Sequence, residues 1–176
     1  MKKLRRPSGL RDLGFKSYEF QLIGEIIVLC GLVEQILRDL PLYITHSDDP
    51  AAIAFTAHLN FKSLCDLNLA ILDGREFDDA PFIFDESDRI IKTIKNAANL
   101  FDDRNRIVHG PFMQFEDNVK GTFRRTARGK IRFQSHPYGR DEIVKLLTRL
   151  VEVYETLQFF SLELKTDWFL RVQSPR

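Results

Sequence analysis

Residues 90–109 read IIKTIKNAANLFDDRNRIVH, and the fold turns on this stretch. Ile90, Ile91, Ile94, Ala97, Ala98 and Phe101 recur at the three-and-four spacing of one helical face. The polar positions between them fall on the opposite side, so the stretch predicts an amphipathic helix that buries one stripe and ends in the run Arg104 to His109. The start signal lies near Asp85 to Ser87, and Gly110 and Pro111 close the pattern.

Working outward, three more helices are predicted. Tyr18 to Leu40 carries Leu22, Ile26, Leu29, Val33, Ile36, Leu37 and Leu40 on one stripe, with Pro41 as its terminator. Ile23, Ile27, Cys30 and Leu32 add apolar surface beyond that stripe, so the helix is either central in a bundle or covers a second face in a subunit contact. Asp48-Asp49-Pro50 opens a second helix that runs to about Leu72 and stops at Asp73-Gly74. Asp141 caps a last helix, with Ile143, Leu147, Leu150, Val151, Tyr154, Leu157 and Phe160 inward, to about Trp168. Between Pro111 and the last helix, Phe112, Met113, Phe115, Val119, Phe123, Ile131 and Phe133 fall in short segments separated by turn residues, which predicts an antiparallel β meander. The expected fold class is therefore mainly α: a four-helix bundle with a small antiparallel β meander, at about 112–135, inserted before the last helix. The expected organisation is a basic N-terminal segment at 1–16 and a single helical domain at 17–170.

The 176 residues are 44% apolar and 29% charged, which excludes a disordered chain, a disulfide-stapled miniprotein and a collagen-like fibre. The longest apolar stretches, Ile26 to Val33 and Phe61 to Leu72, are interrupted and fall short of the roughly 18 residues of a membrane span. No apolar h-region follows the N-terminal lysines and arginines, so a soluble, cytoplasmic chain without membrane contact is expected. Cys30 and Cys65 lie inside helical patterns without CxxC spacing and read as core residues of a reducing compartment. The formal net charge is +1, yet it is unevenly spread: residues 1–16 carry net +5, 17–117 net −10, and 118–140 net +7 with no acid at all. Lys120, Arg124, Arg125, Arg128, Lys130 and Arg132 in that last segment, with Arg106 before it, are the candidate contacts to a polyanion, RNA above all.

Candidate chemistry concentrates in Arg104-Asn105-Arg106-Ile107-Val108-His109. At about 100° per residue, Asn105 and His109 share one side of a helix and Arg104 can curl back to them. An imidazole exchanges protons near neutrality, a guanidinium grips phosphate through two parallel bonds, and a carboxamide orients either one. Those are the needs of RNA cleavage by attack of a ribose 2′-hydroxyl on the adjacent phosphorus. The ordinary alternative is a helix end: Arg104 paired with Asp102 or Asp103, and His109 set on the C-terminal dipole. Glu25, from the first helix, is a further candidate partner for Arg104. No cluster with metal-ligand spacing, Gly-rich phosphate loop or nucleophile elbow occurs, so neither metal nor cofactor is expected.

The Arg, the polar residue directly after it and the His five positions on resemble the signature of ribonucleases in the HEPN superfamily (higher eukaryotes and prokaryotes nucleotide-binding domains). Arg104, Asn105 and His109 match, and the helical part of the resemblance covers about 17–115 and 140–168. The resemblance implies a helical bundle, a homodimer with both motifs facing one cleft, and metal-independent endoribonuclease activity. It also implies a role as toxin, antiviral effector or stress ribonuclease, with a cognate antitoxin where the toxin role applies. Some toxin members carry a Tyr two residues after the His; here that position is Pro111. The competing reading is a non-catalytic HEPN-like module that binds a nucleotide, RNA or a partner protein.

Overall fold

The computed structural model describes residues 16–45, 47–74, 81–109, 112–114, 120–125, 131–137 and 140–173, with the backbone alone at 81–85, 112–114, 120–125, 131–137 and 171–173. Among the described residues there are five helices: α1 (Ser17–Thr45), α2 (Pro50–Ala57), α3 (Phe61–Asp73), α4 (Pro81–His109) and α5 (Arg140–Gln173).

The expected fold class needs correction. The run from Pro50 to Asp73 is two helices and not one, because His58 closes α2 and Asn60 opens α3, its side-chain oxygen accepting from Ser63 N–H at 3.0 Å. An Asn at this position satisfies one of the orphan donors of a helix start and so favours a new helix over continuation of the old one. Among the residues whose side chains are described, every buried one belongs to a helix, so the described core is helical and the expected β meander does not appear in it. Between α4 and α5 only backbone is described: β1 (Phe112–Gln114), β2 (Lys120–Arg125) and β3 (Ile131–Pro137), paired antiparallel in that order with a register shift between Thr122 and Arg124.

Helix bounds differ from expectation for identifiable reasons. At its start, Glu19 accepts from Lys16 N–H at 2.6 Å while Glu19 N–H donates to Lys16 carbonyl at 2.9 Å, a reciprocal cap that fixes the entry into α1. At the other end α1 runs through Pro41 to Thr45. Proline has no N–H and leaves the carbonyl four residues back, that of Leu37, without its helical donor. Asn68 of α3, fully buried, supplies that donor from Nδ2 at 2.8 Å, and the same nitrogen donates to Leu64 carbonyl at 2.8 Å. A helix end at Pro41 is the expectation from sequence, because the compensating donor, Asn68, sits on another helix far along the chain.

The residues divide into two units, 1–27 with 102–148 and 28–101 with 149–176. In the first, Ile26, Ile107, Ile143 and Leu146 are buried. In the second, Val33, Leu37, Leu40 and Ile44 of α1, Leu64 and Leu72 of α3, Ile90, Ile94 and Leu100 of α4, and Leu150, Leu157 and Phe160 of α5 form the core. Each such side chain contributes about 1.5–3 kcal/mol on leaving water. Cys30 and Cys65 are buried, in line with their reading as core residues. Arg38 donates from Nη1 to the carbonyls of Thr56 and Ala57 at 2.6 and 2.8 Å, so it caps the end of α2, and its Nη2 pairs with Glu34.

The expectation that no stretch is long enough for a membrane span does not hold for helix α1. It holds an 18-residue window long and apolar enough to cross one by length and composition, and 22% of that window is buried. The unbroken apolar run Ile26 to Val33 is bounded by Glu25 and Glu34, whereas the longer window tolerates two charged residues.

Candidate functional site

The last turns of α4 carry the site. With helical backbone continuing to His109, Arg104, Asn105 and His109 lie within two turns, and the Arg104 side chain folds along the helix to meet both partners. Arg104 Nη1 donates to Asn105 Oδ1 at 2.9 Å and lies 3.3 Å from His109 Nε2. A guanidinium has donors only, so in this contact Nε2 is the acceptor and the neutral ring carries its proton on Nδ1, a tautomer assigned from the contact. Arg104 is half-buried, whereas Asn105 and His109 are exposed. Arg104 Nε is buried and has no hydrogen-bond partner among the described residues, so the guanidinium holds unused donor capacity on its Nε edge.

The structure thus brings together the three residues picked out as catalytic candidates. The helix-end ion pair expected for Arg104 belongs to its neighbour instead: Arg106 Nη2 meets Asp103 Oδ1 at 2.7 Å, one turn apart on α4. Glu25, weighed as a partner for Arg104, accepts from Gln21 Nε2 at 3.1 Å, and Arg104 makes no ion pair among the described residues. Arg106 is therefore partly neutralised as a phosphate contact. Lys120, Arg124, Arg125 and Arg132 lie on described backbone, with Arg124 opposite Arg132 in the β2–β3 register. Arg128 and Lys130, like all but Lys16 of the 1–16 segment, lie outside the described residues.

One cluster of the same unit escaped the sequence reading. The Tyr18 ring has the Arg140 guanidinium 5.5 Å and the Lys16 ammonium 5.9 Å from its centroid, within reach of cation–π attraction. Residues so distant along the chain give no spacing signal. Among the described residues no group of three or more His, Cys, Asp or Glu is placed to hold a metal ion.

No family model, curated protein or solved structure matches the chain.

Proposed function

We propose that the chain is a metal-independent endoribonuclease of the HEPN type, acting as a homodimer in the cytoplasm. The observation that carries the reading is the convergence of Arg104, Asn105 and His109 on one exposed helix end. Asn105 holds the guanidinium against the imidazole, so two groups of complementary function lie together before substrate arrives. An RNA phosphate is a stronger acceptor for Arg104 than a neutral ring nitrogen, because the bond to an anion is charge-assisted. Binding of phosphate would therefore draw the guanidinium off His109 and release the Nε2 lone pair.

In the step that follows, Nε2 takes the proton of the ribose 2′-hydroxyl, whose oxygen attacks the adjacent phosphorus. Arg104 stabilises the charge that builds on the phosphorane oxygens, and the bond to the 5′-oxygen breaks to leave a 2′,3′-cyclic phosphate. The 5′-oxygen needs a proton as it leaves. One chain offers one His109, so a second copy across a two-fold axis is the natural source of the acid. The unopposed cations of 118–140 and Arg106 supply attraction for the RNA backbone. A toxin or defence role, with an antitoxin as protein partner, extends the same resemblance.

The test is incubation with labelled single-stranded RNA in excess EDTA. The parent chain is expected to cut and leave cyclic phosphate ends, and His109→Ala to cut about 10²–10⁴-fold more slowly. A His109→Ala chain as fast as the parent would overturn the proposal.

A further inference from the structure

A groove of about 500 Å³ lies between α4 and α5 within the second unit, whereas the Arg104 cluster belongs to the first. Its size is that of a small-ligand pocket. The two walls differ in chemistry. Lys92, Lys95 and Asn96 stand on α4 at three-and-four spacing, and the Asn96 Oδ1 is already taken by Arg149 Nη2 at 2.8 Å, which leaves its amide N–H groups to the groove. The cations stand on that wall, two ammonium groups that make no ion pair among the described residues, beside the Asn99 amide and the Thr93 hydroxyl, which donates to Arg89 carbonyl at 2.7 Å.

The α5 wall accepts. Glu152 brings a carboxylate that likewise makes no ion pair among the described residues, and the Thr156 hydroxyl spends its proton on Glu152 carbonyl at 2.8 Å, so it offers lone pairs. Val153, 2% exposed, forms a narrow apolar floor between the walls. No aromatic ring lines the groove among the described residues. A ligand that satisfies both walls carries an anion with several acceptor oxygens at one end and hydroxyl donors at the other, and gains nothing from a flat base. A bare anion would leave Glu152 unanswered; a neutral sugar would leave the lysines so.

We infer that this groove binds a ribose phosphate, with the phosphate on Lys92 and Lys95 and the 2-hydroxyl of the sugar donating to Glu152. A carboxylate on a ribose hydroxyl is what separates ribose from deoxyribose wherever one faces the other. The same unit occurs free as a sugar phosphate and repeated along an RNA strand, and the shared chemistry is the claim. It goes beyond the cleavage reading, because none of its residues belongs to the Arg104 cluster.

Titration calorimetry of the full chain with ribose 5-phosphate and with 2-deoxyribose 5-phosphate tests it directly. Matched single-stranded RNA and DNA are measured by anisotropy in EDTA on the His109→Ala background, so that no strand is consumed. Ribose over deoxyribose selectivity of about tenfold is expected, the worth of one good hydrogen bond to a charged group. Lys92→Met with Lys95→Met should weaken every ligand at least tenfold, and Glu152→Leu should bring the selectivity close to one. Binding of the free sugar phosphate alone, or of RNA as well, identifies the source; either result supports the inference. Equal binding of ribose and deoxyribose forms, or Glu152→Leu tightening both alike as a plain basic patch would, overturns it, and so does absence of binding by both. Cleavage by the parent chain is read separately, so the two proposals can fail independently.

Discussion

Asn68 shows how much one side chain can decide. It is a fully buried amide whose nitrogen replaces the donor that Pro41 lacks, while its own Oδ1 has no partner among the described residues. Asn68→Ala is expected to cost about 1–3 kcal/mol, because it strands the Leu37 carbonyl in the core. In a Pro41→Ala background the restored N–H answers that carbonyl, so the cost of Asn68→Ala should fall by about 1 kcal/mol. Urea unfolding of the four proteins measures the coupling, and a value of zero would separate the two residues. Cys65 gives a second expectation. Burial, and then the charge of Asp66, push its thiol up to about 12. The thiol is thus protonated in the folded chain at pH values where the unfolded chain, with an ordinary value of 9.0, has begun to lose its proton. The stability this thiol favours is complete below pH 9 and declines as pH rises toward 12. Thiol titration should find Cys65 inert in the native chain at pH 8 and reactive once urea is added.

At the scale of elements, α2 has only one buried residue, Thr56, and its last carbonyls are held by Arg38 from α1. Arg38→Ala is expected to lower stability by about 1.5–3 kcal/mol and to raise amide exchange in α2 ahead of the other helices. Uniform exchange across all five would argue against a local cap. The helices themselves were largely legible, because α4 and α5 carry long periodic stripes that no competing signal interrupts. The Arg104, Asn105 and His109 cluster was legible for the same reason: all three lie on one helix, where spacing dictates proximity. Joints between elements were not. The bond from Arg38 to Thr56 spans 18 positions and that from Asn68 to Leu37 spans 31, and neither distance has a periodic signature. The break at Asn60 was visible in principle, as a cap residue ahead of the stripe Leu64, Leu67 and Ile71, but the apolar residues around it masked the signal.

For the whole molecule, α1 matters most. Val28 is 62% and Leu32 42% exposed, and a Cβ built on Gly31 between them meets nothing within 4 Å. The dimer proposed for the ribonuclease gives this apolar stretch a partner. Val28→Asp with Leu32→Asp is therefore expected to convert a dimer into a monomer in light scattering, and to reduce RNA cleavage with it. A parent chain that is already monomeric at micromolar concentration would remove the two-copy cleft from the mechanism.

The Pro41 joint has a kinetic side as well. A helix that completes its own ladder can fray and reform alone, but the turn of α1 around Leu37 closes only when α3 is in place. The two helices therefore share a single opening event, and amides near the end of α1 should exchange at the rate set by the departure of α3, not by the distance to their own terminus.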